Sequence, residues 1–105
     1  MLQRIQVDAE TILQVSVSGS GEPVVFIHGL GGNLSFWAGQ ARALSQHFTV
    51  VRYDLRGHGG SSPSTNQALF THVKDLRALL KTLAIPKAHL VGLSLGGIIA
   101  QEIGR

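Results

Sequence analysis

Two kinds of apolar pattern alternate along this chain, and their order predicts the architecture. Runs rich in β-branched and aromatic residues occur at Val24-Val25-Phe26-Ile27, at residues 48–53 and at residues 88–93. Such runs are how strands buried on both faces of a parallel sheet read. Between them the period changes: over residues 67–84, Leu69, Val73, Leu76, Leu80 and Leu83 recur at spacings of three and four, which sets them on one face of a helix. Ile85-Pro86 ends that helix, because a residue before proline is pushed out of the α region. Asn33 or Ser35 caps an earlier helix of about ten residues reaching Gln46, and another starts at Leu95 with Ile98, Ile99 and Ile103 as its buried positions. Ahead of all these, residues 5–7 and 12–17 alternate, and Ser18-Gly19-Ser20-Gly21 is a turn cluster, so the chain opens as a hairpin-like pair. Strands alternating with helices predict βαβ units, hence an α/β fold with a mostly parallel sheet of about five strands and flanking helices.

Composition narrows this reading. With 44% hydrophobic and 14% charged residues the chain has a packed core and lies far from the disordered class. Its 105 residues fall short of the roughly 200 to 250 that a complete α/β enzyme needs, so residues 1–105 are expected to form one incomplete domain. No cysteine is present, which excludes a disulfide scaffold, a thiolate metal site and a Cys nucleophile, and fits a reducing, cytoplasmic compartment. Polar residues interrupt the first ten positions, and no run approaches the roughly 20 apolar residues of a membrane span, so neither export nor membrane insertion is expected. The net charge is +3, but Lys and Arg are scattered from Arg4 to Arg105 without a cluster, which gives nucleic acid no footprint.

The chemistry concentrates in glycine-rich loops after the strands. Gly92-Leu93-Ser94-Leu95-Gly96 is a G-x-S-x-G string between a strand and a helix start. A glycine-rich turn before any helix could produce that string, so its context carries the weight. A nucleophilic Ser94 there needs a very tight turn, with glycines two positions before and after it where the backbone passes closely. The same turn sets the Leu95 N–H at a helix N-terminus, where a free donor and the helix dipole stabilise a developing oxyanion. His28-Gly29-Leu30-Gly31-Gly32 follows the first buried strand and offers a second donor, for which Leu30 is the candidate. A dinucleotide loop would need glycine where Leu34 stands, and a phosphate-binding loop would need Gly-Lys-Ser/Thr. His28 beside a tight turn reads first as a group that holds the loop, and only second as a base.

The segments His28-Gly29-Leu30-Gly31-Gly32, Asp54-Leu55-Arg56-Gly57-His58-Gly59-Gly60-Ser61 and Gly92-Leu93-Ser94-Leu95-Gly96-Gly97 resemble the three N-terminal signatures of the α/β-hydrolase family, in its order and spacing. Within the family the chain is most similar to the enol-lactonase, cofactor-free haloperoxidase and small carboxylesterase group, with residues 53–59 resembling 3-oxoadipate enol-lactonases. The resemblance implies that Ser94 is the nucleophile, that the Leu30 and Leu95 amides form the oxyanion hole, and that no metal or cofactor takes part. It makes Asp54 and Arg56 loop-bracing groups and lets Trp37 wall a substrate pocket, although Trp37 and Phe36 packing a helix onto the sheet accounts for them equally well.

The pattern departs from the family where the triad should continue, because this fold orders it Ser, then Asp or Glu, then His. All five histidines precede Ser94, and the residues after it include Glu102, two turns along the same helix, but no His. A serine without its base is a poor nucleophile. The expectation is therefore a serine hydrolase of carboxylic esters or lactones in a longer parent, with the 105-residue chain inactive alone. A non-catalytic remnant or binding module is the alternative; transferase or perhydrolase chemistry on the same serine stays open. Small-molecule substrates are the expected partners, and the strand at 88–93, presented as an open apolar edge, predicts self-association.

Overall fold

The chain, described over residues 2–103 by a computed structural model, builds one five-stranded sheet in the order β1-β2-β4-β3-β5. The strands are β1 (Leu2–Gln6), β2 (Ile12–Ser18), β3 (Glu22–Ile27), β4 (Phe48–Tyr53) and β5 (His89–Gly92), and the helices are α1 (Ala38–Leu44), α2 (Leu69–Thr82) and α3 (Leu95–Ile103). β4, β3 and β5 run parallel to one another, and the β1–β2 hairpin joins antiparallel through β2 to β4. The predicted α/β class and strand number hold.

Side-chain alternation in the central strands makes the layers. Val25, Ile27, Val51 and Tyr53 point to one face, where Val73, Leu76 and Leu79 of α2 and Ile99 of α3 close the larger core with Leu13, Val15 and Leu55. Val24, Phe26 and Val50 point to the other, where Trp37 and Ala41 cover them. Apolar residues on both faces of β3 and β4 explain why those strands lack a polar alternation.

Four details differ from the sequence expectation. The first hairpin turns at residues 7–11, where the Val7 N–H donates to the Thr11 carbonyl at 2.9 Å, while Ser18-Gly19-Ser20-Gly21 links β2 to β3 with Gly19 and Gly21 at φ 78° and 113°. The helix expected from Asn33 begins as a 3₁₀ turn, Leu34–Trp37, capped by Asn33 Oδ1 accepting from the Ser35 N–H at 2.9 Å. Asp54 and Arg52 explain that start: Asp54 Oδ1 accepts from the Leu34 N–H at 2.7 Å and Arg52 Nη1 donates to the Leu34 carbonyl at 3.2 Å, so the first turn is held from outside. α2 stops at Thr82, before Pro86 acts: Ala84 takes φ 58° and the Ile85 N–H closes onto the Leu80 carbonyl at 2.9 Å, a left-handed cap built without glycine. β5 is not buried on both faces, since it pairs only with β3 and its residues alternate exposed and half-buried. Among the described residues no helix is long and apolar enough to cross a membrane. Gly104, a possible cap for α3, lies outside the described residues.

Candidate active site

Because β3, β4 and β5 are parallel, the loops that follow them, at residues 28–33, 54–62 and 93–94, emerge at one end of the sheet. In open α/β sheets the carboxyl ends of the strands are where ligands bind.

Ser94 sits between the end of β5 and the start of α3 with φ 57°, a left-handed conformation that side chains rarely adopt. The Leu93 N–H ties the approach to Ile27 at 3.2 Å, and the Gly96 N–H turns back to the Leu93 carbonyl at 2.9 Å. Both flanking glycines are sterically required. A side-chain carbon on Gly96 would run into the Ile27 carbonyl and lie 2.8 Å from the His28 carbonyl, and one on Gly92 would meet the Gly96 carbonyl and the Gly97 nitrogen. Ser94 is exposed, and among the described residues its Oγ has no hydrogen-bond partner.

The loop after β3 passes beside it. A side-chain carbon on Gly29 would stand 3.3 Å from Ser94 Cβ and 3.9 Å from its Oγ, which places Leu30, 67% exposed, next to the serine's neighbour. Among the described residues the N–H groups of Leu30 and Leu95 have no acceptor in the chain, whereas the N–H groups of Gly31, Gly32 and Leu34 all donate.

What holds these loops is a buried polar framework. His28, fully buried, donates from Nδ1 to the Gly29 carbonyl at 2.7 Å while Nε2 accepts from the Leu55 N–H at 3.0 Å. Burial pushes its imidazole below the ordinary histidine value, with the Gly29 hydrogen bond only partly opposing. His28 is thus neutral and fully occupied, the loop-holding role. Asp54, 1% exposed, accepts from Leu34, Gly60 and Gln14, spanning three segments. Arg56 donates to both Asp75 oxygens, at 2.7 and 2.8 Å, and to Asp8 Oδ2 at 2.9 Å, and its bonds to Asp75 above all keep the guanidinium more firmly charged. The loop-bracing roles implied for Asp54 and Arg56 are therefore visible as hydrogen bonds. Sequence reasoning missed Asp8, Gln14 and Asp75 as their partners, and it missed His58, whose Nε2 accepts from the Gly31 N–H at 2.9 Å. No local spacing signals pairs separated by 19 to 48 residues.

The remaining candidates lie elsewhere. Trp37, 8% exposed, stacks on Phe26 with ring centroids 5.0 Å apart and meets Phe36 edge-on at 4.9 Å, so it packs the segment after the loop onto the sheet. Glu102 faces α2 in a shallow cleft shared with Leu69, Phe70 and Val73. His72 is fully buried against Gln67, and His89 pairs with Glu22 at 2.9 Å near the opposite end of the sheet. No histidine hydrogen-bonds Ser94 among the described residues. A concavity of about 960 Å³ also lies at that opposite end, between Pro23, Leu80, Ile85, Ala88 and Leu90, remote from the serine loop.

A mostly parallel sheet with a serine on a strained strand-to-helix turn at the carboxyl ends of its strands is an arrangement of the α/β class. The chain belongs to the α/β hydrolase fold family, whose model matches residues 22–103. It is 37% identical over 94 residues to 3-oxoadipate enol-lactonase 1 of Acinetobacter baylyi, covering 88% of this chain and 35% of that protein. A fluoroacetate dehalogenase from Burkholderia sp. is 40% identical over 87 residues, covering 77% of this chain and 29% of that protein. The structure of an epoxide hydrolase from Vigna radiata superimposes with a TM-score of 0.92 at 26% identity, covering 98% of this chain and 34% of that one. The chain thus spans about a third of the length of these relatives, all of them hydrolytic by name. The resemblance drawn from the three glycine-rich signatures is borne out at the level of the family.

Proposed function

We propose that Ser94 is the nucleophile of a hydrolase acting on a carboxylic ester or lactone, working in a longer protein that supplies the acid and base. The observation that carries this reading is the exposed Ser94 hydroxyl at φ 57°, beside the Gly29–Leu30 loop, together with Leu30 and Leu95 N–H groups that have no acceptor among the described residues. In the reaction Ser94 Oγ attacks the carbonyl carbon as its proton passes to a base, and the carbonyl oxygen becomes an anion facing the Leu30 and Leu95 donors. Collapse expels the alcohol, which for a lactone stays attached to the acyl chain, and water then releases the acid. Trp37 contributes by anchoring the segment behind the Leu30 loop. The dehalogenase and epoxide hydrolase among its relatives act on other bonds, so the fold alone does not fix the substrate. The serine is what favours acyl chemistry.

The 105-residue chain alone is inactive in this reading, because His28, His58 and His72 are already engaged in holding structure, while His47, just before β4, and His89, paired with Glu22 at the start of β5, lie at the opposite end of the sheet from Ser94. On an activated aryl ester the chain is expected to show background turnover. A fusion to the C-terminal portion of an enol-lactonase relative should gain turnover that Ser94→Ala lowers by about 10⁴-fold or more. Turnover of the fusion that survives Ser94→Ala would sink the assignment. Turnover of the unfused chain that Ser94→Ala removes would show that one of its own histidines serves as base.

A further inference from the structure

His58, like the buried His28, bridges two of the site loops, but it does so from the loop after β4 and at Gly31. Its Nε2 accepts from the Gly31 N–H at 2.9 Å, and its Nδ1 lies 3.0 Å from the Arg56 carbonyl. A backbone N–H can only donate and a carbonyl can only accept, so these two contacts fix the ring as neutral with its proton on Nδ1. Gly31 is held at φ 82°, and a side-chain carbon added to it would meet nothing within 4 Å, so packing does not impose the loop's shape at that residue. The Gly32 N–H to the Gly29 carbonyl at 3.0 Å closes a four-residue turn around Leu30 and Gly31, and His28 holds that same carbonyl, so the bond from Gly31 to His58 is what ties this turn at Gly31 to the loop after β4.

We propose that His58 is a positioning residue for the Leu30 amide: as a neutral acceptor it fixes the Gly31 N–H, and protonation at Nε2 releases the Leu30–Gly31 turn from the loop after β4. The released state follows from the geometry, since a proton on Nε2 turns the acceptor into a donor facing another donor. Charged and titratable groups surround the ring on each side. The His28 ring lies 5.1 Å away on the loop after β3, Asp54 and Arg56 belong to its own loop, and His72 and Asp75 face that loop from α2. Of these, Asp54 is bound to three donors and Asp75 to Arg56, so neither carboxylate is free to pair with a charged His58. The catalytic consequence rests on the reading of Leu30 as an oxyanion donor; the latch itself does not.

Proton and nitrogen NMR of the 105-residue chain tests the latch without any turnover. Expected is a neutral His58 ring with its proton on Nδ1, and a Gly31 amide signal that moves when the ring gains a second proton. His58→Gln, whose side-chain oxygen still accepts, should keep the Gly31 signal near its neutral position and remove its pH dependence. His58→Ala should speed Gly31 amide exchange several-fold to about tenfold, the effect of one ordinary hydrogen bond. An Nε2-protonated tautomer, or a Gly31 amide indifferent to both pH and His58→Gln, overturns the proposal even if His58→Ala fails to fold. In the active fusion, loss of pH response in kcat with KM unchanged in His58→Gln supports the link to Leu30. If Ser94→Ala leaves turnover intact while the NMR result holds, the acyl-hydrolase reading fails and the latch stands.

Discussion

The loops at residues 28–33 and 54–62 and the elbow at Ser94 lie at the same end of one sheet, yet they are built on opposite terms. In the first pair polar groups are buried and paired: His28, Asp54 and Arg56 are 0, 1 and 8% exposed, and each makes two or more hydrogen bonds. At the elbow the hydroxyl is exposed, neither it nor the Leu30 and Leu95 amides has a partner among the described residues, and the backbone is held in a conformation it resists. The difference teaches how rigidity and availability are divided. A donor useful to a substrate must have no acceptor of its own and must still not move, so the fixing is done by neighbours, Gly31 to His58 and Gly29 to His28 on one side and the tight glycine contacts of Gly92 and Gly96 on the other.

The sharpest way to break this comparison is to remove the deepest member of the framework. The Arg56 and Asp75 side chains are 10 and 4% exposed, so Asp75→Ala leaves a buried guanidinium without its main partner and is expected to cost about 3 to 5 kcal/mol. Asp8, the other partner, is 37% exposed, and Asp8→Ala should cost no more than about 1 kcal/mol. Urea unfolding followed by circular dichroism reads both. Equal, small losses would mean that the loop after β4 is held by its backbone bonds and that the buried ion pair is incidental.

That pair also marks where sequence reading stops. The strands β3 and β4 and the helix α2 were legible because their apolar periods are set by burial on one or two faces, a local signal. The position of Ser94 was legible because only glycines fit at Gly92 and Gly96. Not legible were properties that depend on distant neighbours. β5 reads as buried because its residues are apolar, but exposure depends on what lies beside it. The 3₁₀ start at Leu34 is dictated by Asp54, twenty residues away, and the end of α2 by Ala84 adopting a conformation for which glycine would have been the signal. His58 was read as part of a signature without its partner Gly31 being identifiable.

A second test separates the two regions by pH. Burial holds both His28 and His72 below the ordinary histidine value of 6.5, so on acidification the unfolded chain takes up protons before the folded chain does. Stability is then complete above about pH 7 and declines as pH falls through 6.5 towards the depressed folded values, by at most about 1.4 kcal/mol per pH unit for each histidine. His72→Gln should shallow that slope. Asp8 acts in a separate window: the Glu10 N–H first, then Thr11 and Arg56, hold it at about 2, so its small contribution is present above 3.8 and is lost only as pH falls through about 2. Thermal melts between pH 7.5 and 5 check the histidine window. A melting temperature flat across it would mean that the buried imidazoles take up protons without penalty, and the framework would not be as closed as its exposure values imply.

The smallest expected effect is the most discriminating. Ala84 and Ser94 are the non-glycine residues with positive φ among those described, at 58° and 57°. Ala84 closes α2, where its conformation serves only the chain's exit from the helix, and Ser94 carries an exposed hydroxyl. The left-handed conformation costs a residue with a side chain roughly 1 to 2 kcal/mol, and glycine gives back about 0.5 to 1 kcal/mol of that through its freer unfolded state. Ala84→Gly should therefore stabilise by up to about 1 kcal/mol. Ser94→Gly should shift stability in the same direction by a similar amount, because its Oγ has no partner to lose among the described residues. Matched urea midpoints would show that the elbow carries its strain as the helix cap does, unrelieved by any bond from the side chain. A destabilised Ser94→Gly beside a stabilised Ala84→Gly would instead show that the serine hydroxyl supports the folded chain, and the division between a paired framework and an unpartnered hydroxyl would fail at its central residue.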